Sequence, residues 1–351
     1  MSFSVGIVGL PNVGKSTLFN ALTKQAAAAS NFPFTTIDPN VGVINVPDER
    51  LAKLAVLEKS EKIVPTSIEF VDIAGLVKGA AEGAGLGNKF LSHIREVDAI
   101  VQVVRFFQND DIVHVDGSVD PARDMEVINL ELMLADLSTV NKRLESLGRE
   151  IKSGNKESLI LKGALDKIKA ALDAGQLART VELQEEEQRL VKNLSLLTMK
   201  PTLYVANTTL QPTTYNLPPI FLPIDVKIES ELAELADEDR AEYMKELDIS
   251  ESGLDRLARA AYKLLNLITF ITAGPMETKA WTIVAGTKAP QAAGVIHTDF
   301  EKNFIRAEII AWDKLLAAGG YGPARDKGWL RVEGKEYVMQ DGDVAHFRVN
   351  P

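Results

Sequence analysis

Eight residues near the start of the chain, Gly9-Leu10-Pro11-Asn12-Val13-Gly14-Lys15-Ser16, have the form G-x-x-x-x-G-K-[ST]. No other stretch constrains the fold as much, because this pattern works only between a strand and a helix. The flanks supply both. Phe3 to Val8 is a short apolar run that reads as a buried strand, and Thr17 to Thr23 reads as the start of a helix. The glycines let successive N–H groups turn toward one anion, and the helix N-terminus adds partial positive charge. In such a loop Lys15 reaches the β- and γ-phosphates of a nucleotide, and the Ser16 hydroxyl ligates Mg²⁺.

A second half for this site follows. Asp72-Ile73-Ala74-Gly75 closes the apolar strand pattern Ile68 to Val71, 57 residues after Lys15. An acid at the carboxyl end of a strand beside a phosphate loop can hold Mg²⁺ through a water, and the Gly75 N–H can approach a γ-phosphate. Between the two halves, Ser30 to Asn40 carries Pro33 and Pro39 and reads as a loop. Thr35 and Thr36 in that loop are candidates to close over the metal. Gly79, Gly83, Gly85 and Gly87 make the segment after Asp72 a candidate nucleotide-ordered loop, or else an ordinary surface loop.

Ala99 to Val104 is a β-branched run suited to a buried parallel strand, after a helical pattern from Phe90 to Val97. Strands and helices in this order give an α/β class, a doubly wound, mostly parallel sheet with its ligand at the carboxyl ends of the strands. The pattern changes from Pro121 to about Asn193. There Val127, Leu130, Leu134, Leu137, Val140 and Leu144 recur at helical spacing, and Gly154 and Gly175 are the expected breaks, so an antiparallel helical hairpin is predicted. Sheet patterns resume at Thr202 to Ala206 and at Ile220 to Ile224, which makes the hairpin an insertion. From Ile268 onward, short strands (Ile268 to Ala273, Ala280 to Val284, Phe304 to Ala311, Tyr337-Val338 and Ala345 to Val349) and one helix near Ala289 to Phe300 predict a small α+β module.

A length of 351 residues fits two or three domains. No cysteine is present, which excludes disulfides and thiolate-bound zinc. No stretch approaches a membrane span, and a soluble, cytoplasmic protein is expected. The net charge of −10 is concentrated between Glu229 and Glu251, where ten acids face two bases, and a solvated acidic helix explains it.

Taken together these motifs resemble the YchF/Obg-like ATPase family of translation-factor-related NTPases. The residues that carry the likeness are Gly9 to Thr17, Asn31 to Asn40, Asp72 to Ala80, Gly85 to Leu91, Ala289 to Gly294 and Ile296 to Glu301. The resemblance implies a Ras-like, Obg-type P-loop domain (1–120 plus 196–267), a helical, coiled-coil-like insertion (121–195), and a C-terminal TGS domain of β-grasp type (268–351). It also implies Mg²⁺ on Ser16 and Thr36, and phosphate contacts from Asn12, Val13, Gly14, Lys15, Ser16 and Thr17. A ribosome or ribosomal subunit is the implied partner, RNA contact is a further option through the TGS module, and a monomer is expected.

Ras-like GTPases place a water-orienting Gln directly after Asp-x-x-Gly. Leu76 stands there, so slow intrinsic turnover is predicted. The family implicates a downstream His, which corresponds to His114, and an imidazole titrates in the right range to polarise a water. A surface-loop role for His114, or His93 in its place, are the alternatives. Asn12 is a candidate contact to K⁺ against the phosphates. For the base, Asn207-Thr208-Thr209-Leu210 stands where guanine readers have Asn-Lys-x-Asp and where the family has Asn-x-x-Glu. The Asn207 amide can pair with adenine and Thr208 can add a backbone contact, which favours ATP, while Leu210 leaves GTP open. Two functions follow. One is a slow ATPase that switches with nucleotide state in translation or stress regulation. The other is a nucleotide-binding scaffold, or a GTPase of relaxed base specificity, whose main role is docking to a partner.

Overall fold

The computed structural model describes residues 3–28, 40–73, 87–109, 111–112, 114–115, 117–152, 154–209 and 217–350, without the side chains of 26–28, 88, 89 and 237. The chain opens with β1 (Ser4–Val8), α1 (Lys15–Ala28), β2 (Val41–Asn45), α2 (Glu49–Glu58), β3 (Lys62–Val64) and β4 (Ser67–Asp72). Then come α3 (Asn88–Glu96), β5 (Ala99–Arg105), α4 (Pro121–Lys152), α5 (Lys156–Asp173) and α6 (Glu185–Lys192). The middle closes with β6 (Thr202–Asn207), β7 (Phe221–Ile224), α7 (Val226–Leu232), α8 (Asp237–Glu246) and α9 (Gly253–Leu264). The C-terminal stretch holds β8 (Leu267–Ala273), β9 (Glu277–Val284), α10 (Ala289–Ile296), α11 (Thr298–Lys302), β10 (Phe304–Ala311), α12 (Trp312–Ala318), α13 (Tyr321–Asp326), β11 (Arg331–Glu333) and β12 (Asp343–Val349).

Two compact units result, one of residues 4–42 with 70–253, the other of 1–3, 43–69 and 254–351. The first holds most of a six-stranded sheet of order β2-β4-β1-β5-β6-β7. β5 pairs in parallel with β1 and with β6, and β6 with β7. β5 is buried along its whole length, as a central parallel strand covered on both faces must be. The order reverses beside β1, so the loop that leaves β1 emerges at the switch point, where open α/β sheets hold ligands.

The helical insertion forms as the glycines predict. α4 ends before Gly154 and α5 before Gly175, both at positive φ (86° and 73°). Asn155 caps α5 by accepting from Ser158 N, and Gln184 with Glu187 forms a capping box on α6. Val140, Leu147, Leu161, Leu165, Ile168 and Val191 share one core. The first half of α4 departs from its apolar period. Val127, Leu130 and Leu134 are 37%, 53% and 54% exposed. The buried row is instead Asp124, Ile128, Leu132, Asp136 and Val140, one residue every four. Ile128 and Leu132 pack beside Val8 and Ile100 of the sheet. The apolar period shares only Val140 with this row, two of whose members are carboxylates.

Asp136 is fully buried and accepts from Leu197 N (2.8 Å), Thr198 N (2.7 Å) and Thr198 Oγ1 (2.6 Å), which ties mid-α4 to a 3₁₀ turn at Leu197–Met199. A buried carboxylate is tolerable here because each neighbouring donor is satisfied by it.

The second unit is built on a mixed sheet of order β11-β10-β12-β8-β9-β3. β8 and β9 form an antiparallel hairpin, β12 runs parallel to β8, and α10 packs Ala289, Ala292 and Ala293 against Phe270, Ile283 and Phe347. The sequence reading differs in detail. β3 is an edge strand contributed by residues 62–64, paired in parallel with β9, although the reading placed those residues with the nucleotide domain. The predicted helix near Ala289 to Phe300 is two helices, broken at His297, whose ring accepts from Asp299 N to cap the second. Tyr337-Val338 forms only an isolated bridge to Lys288, and α2, α12 and α13 were not foreseen. Among the described residues no helix is long and apolar enough to cross a membrane.

Candidate functional site

The site begins where β1 ends. Gly9 has φ +154°, and a Cβ there would lie 2.5 Å from the Val103 carbonyl oxygen of β5, so the loop can leave the sheet only as glycine. Asn12 holds a left-handed conformation (φ +61°) and Gly14 follows at +103°. α1 then starts at Lys15, and its first turn presents N–H groups that have no partner within a helix. Asn12, Ser16 and Thr17 are exposed there, while Val13 is buried and anchors the loop.

Lys15 folds across this loop and its ammonium donates to Leu10 O. Burial holds the ammonium down to about 8 from an ordinary 10.5, and the nearby Asp72 carboxylate opposes that shift. The two halves of the predicted site are thus brought together: Lys15 after β1, and a buried Asp72 at the end of β4. A buried ammonium next to one carboxylate is an incompletely compensated cation, and a polyphosphate is the kind of anion that compensates it. Hydroxyl and carboxylate oxygens are ligands of the hard kind that Mg²⁺ takes. Among the described residues no group of three or more His, Cys, Asp or Glu could hold a metal by itself, so Ser16 and Asp72 would share the ion with substrate oxygens and waters. Thr35, Thr36, Gly75, Leu76 and Leu210 lie outside the described residues.

At the end of β6 the Asn207 side chain is engaged with the phosphate loop and with α7. Its Nδ2 donates to Val13 O (2.9 Å), and its Oδ1 accepts from Val226 N (3.3 Å) at the start of α7. The side chain is buried, and a Cβ on Gly14 would meet its Nδ2 at 2.3 Å. Asn207 therefore braces the phosphate loop against α7. The Thr208 N–H donates to Ile224 O (3.0 Å).

His114 is not a surface-loop residue. Its ring is buried, and Nε2 lies 2.8 Å from Asp124 Oδ2 in the first turn of α4. Arg123 donates to the other carboxylate oxygen at 3.3 Å. Arg105, the last residue of β5, is buried and donates to the carbonyls of Phe107, Asn109 and Ile112, which shapes the segment leading to His114. His93, the rival position, sits half-buried on α3, 3.7 Å from Glu96. Sequence reasoning missed Asp124 and Arg105, and the every-fourth-residue row of α4 was the signal that could have found the first.

A family model described as "50S ribosome-binding GTPase" matches residues 4–140, and YchF-GTPase_C, described as "Protein of unknown function (DUF933)", matches residues 267–350. The chain is 53% identical to "Ribosome-binding ATPase YchF" of Bacillus subtilis (strain 168) and 50% identical to that of Haemophilus influenzae (strain ATCC 51907 / DSM 11121 / KW20 / Rd), each over 100% of both proteins. The solved YchF GTPase of Schizosaccharomyces pombe superposes with a TM-score of 0.91 at 40% identity, covering 99% of this chain and 98% of that one. With a phosphate loop at a switch point, a helical insertion and a mixed-sheet C-terminal unit, and with full-length relatives at this identity, the chain belongs to the YchF family.

Proposed function

We propose that this protein is a slow, Mg²⁺-dependent ATPase that acts on the ribosome. The observation that carries the reading is the buried Lys15 ammonium, within electrostatic reach of Asp72, at a glycine loop that opens a helix. The names of the bacterial relatives, "Ribosome-binding ATPase", support both the reaction and the partner. In this reading the backbone from Asn12 to Thr17 cradles the phosphates and Lys15 neutralises the β- and γ-oxygens. Ser16 and Thr36 would hold Mg²⁺ directly and Asp72 would hold it through a water, and the ion would offset charge on the phosphoryl oxygens. Gly75 would meet the γ-phosphate, and Asn12 would help hold a K⁺ there. Leu76 cannot orient a water, so His114 takes that role and turnover is slow. The segments that act are the nucleotide domain (1–120 plus 196–267), the helical insertion (121–195) and the TGS module (268–351), in a cytoplasmic monomer whose TGS module can contact RNA.

A single-turnover assay with Lys15→Ala tests the enzyme. Hydrolysis by the wild type and none by the variant is expected; equal inactivity of both would leave a nucleotide-binding scaffold. Co-sedimentation with ribosomes tests the partner, and equal rates in KCl and NaCl would remove K⁺. A second reading of the base choice has its own support. The Asn207 amide is engaged by Val13 O and Val226 N, and the solved fungal relative is titled a GTPase. Under that reading ATP and GTP bind within tenfold of each other in a direct titration.

A further inference from the structure

Beside the amino ends of β5 and β6, the end of α3 and the base of the helical insertion frame a cavity of about 630 Å³. Arg95, Arg179, Lys192 and Lys200 line it, against two acids, Glu96 and Asp98. We infer that this cavity is a second binding site, for a small phosphate monoester with an apolar body. β1 and β5 run parallel, so the cavity lies at the sheet edge opposite the one from which the phosphate loop leaves. The length of β5, about 20 Å, separates the two.

Neutral acceptors hold three of the cations in place. Arg95 donates to Ser195 O (3.1 Å) and to Thr139 Oγ1 (2.9 Å) of α4. Arg179, in a 3₁₀ turn at Ala178–Thr180, donates to Thr202 Oγ1 and Tyr204 Oη (3.0 Å each) and to Lys200 O (3.3 Å). The Lys200 ammonium donates to Arg95 O and Val97 O at the end of α3. Among the described residues no carboxylate comes within ion-pair distance of these three or of Lys192. The lining acids are engaged elsewhere: Asp98 accepts from Ser4 N (2.9 Å), and Glu96 faces His93 of its own helix at 3.7 Å. Burial pushes the Lys200 ammonium below its ordinary value; Asp98 and Asp136 oppose that shift, and the Arg95 guanidinium adds to it. The repulsion between Arg95 and Lys200 is a cost that an anion in the cavity removes.

The lining also sets the class of ligand. Four cations against two acids leave an excess of two positive charges. A phosphate monoester near neutral pH carries about −1.5 to −2 and matches that excess, whereas a carboxylate leaves half of it uncompensated. Guanidinium groups suit phosphate oxygens, and each Arg has five N–H donors, of which the protein's own acceptors use only some. The remaining wall is apolar, with Val181, Leu183, Met199 and Pro201 half-buried along it. A cavity of this size and mixed lining suits a small organic molecule better than a free ion. The ligand's phosphate meets the cations and its apolar body covers that wall.

Titration calorimetry with 1-naphthyl phosphate tests the site on the full chain and on Lys15→Ala, Lys192→Glu and Arg179→Gln, with melting curves as the folding control. The wild type should bind one equivalent, and Lys15→Ala should bind it equally well. Lys192→Glu and Arg179→Gln should each weaken binding roughly 10- to 100-fold, the worth of one charge-assisted hydrogen bond. Inorganic phosphate should bind at least about tenfold more weakly, because it covers none of the apolar wall. Lys192 is exposed and makes no hydrogen bond or ion pair among the described residues, so Lys192→Glu decides the matter even where Arg179→Gln does not fold. The inference is overturned by the absence of saturable binding up to about 1 mM, or by wild-type affinity in Lys192→Glu. Loss of binding in Lys15→Ala overturns it as well, because the probe then sits on the phosphate loop. Equal affinity for inorganic phosphate overturns the assignment of an ester with an apolar body.

Discussion

The side-chain nitrogen of Asn207 donates to the backbone oxygen of Val13 across 2.9 Å, and this bond joins the end of β6 to the middle of the phosphate loop. The other half of the same amide accepts from Val226 N, so one side chain fixes the loop and the start of α7 together. Asn207→Ala leaves both backbone groups buried without that partner, at about 1–3 kcal/mol each. The expected result is a lower melting temperature and a loss of affinity for ATP and GTP alike, read by titration of both nucleotides. A loss confined to ATP would instead return Asn207 to the role of base reader.

Lys15 makes the nucleotide-free protein sensitive to alkaline pH. Its ammonium is held down to about 8, whereas the unfolded chain protonates it at an ordinary 10.5. Between those values the unfolded state carries a proton that the folded state has lost, so stability rises with pH across the window, by up to about 3 kcal/mol. Lys15→Met should abolish that rise in denaturation curves taken from pH 7 to 10. Phosphate contact restores the charged form, so ATP binding near pH 9 should take up close to one proton. Calorimetry in two buffers of different ionisation enthalpy measures that uptake.

Asp136 predicts a stability effect with no chemistry attached. Removing its carboxylate in Asp136→Ala strands the Leu197 and Thr198 donors in a buried setting and should cost about 3–5 kcal/mol. Burial raises its carboxyl above the ordinary range, although the three hydrogen bonds pull the other way. A raised folded value means stability present at low pH is lost as the pH climbs through it. Asp136→Asn should therefore flatten the acid side of the stability profile and cost less than the alanine change.

The exposed and buried rows of α4 separate in the same kind of experiment. Leu130→Glu and Leu134→Glu change exposed positions and should shift stability by no more than about 0.5 kcal/mol. Ile128→Ala and Leu132→Ala open space against the sheet and should each cost about 2–5 kcal/mol. Urea denaturation of the four variants distinguishes the rows.

Much of this molecule was legible because its signals are local. The phosphate loop is eight consecutive residues whose glycines answer to the Val103 carbonyl and to Asn207, and Gly154 and Gly175 end helices by backbone geometry alone. What escaped depends on partners far along the chain. β3 is three residues long with exposed Lys62 and Ile63, and it becomes a strand only because β9, more than 200 residues later, offers its edge. The Asn207 bond to the phosphate loop escaped because nothing nearby in the sequence reveals that Val13 O needs a donor. Asp124 and Asp136 were invisible to an apolar period because burying a carboxylate is sensible only once its hydrogen-bond donors are in place.

α4 has a mechanical consequence as well. Its 32 residues span about 48 Å, and Asp136 clamps it to the Leu197–Met199 turn about 18 Å from Asp124 and about 24 Å from its far end. The helix is therefore held at two places along its first half: by the packing of Ile128 and Leu132 on the sheet, and by the Asp136 carboxylate, with Asp124 and its contact to His114 at the near end.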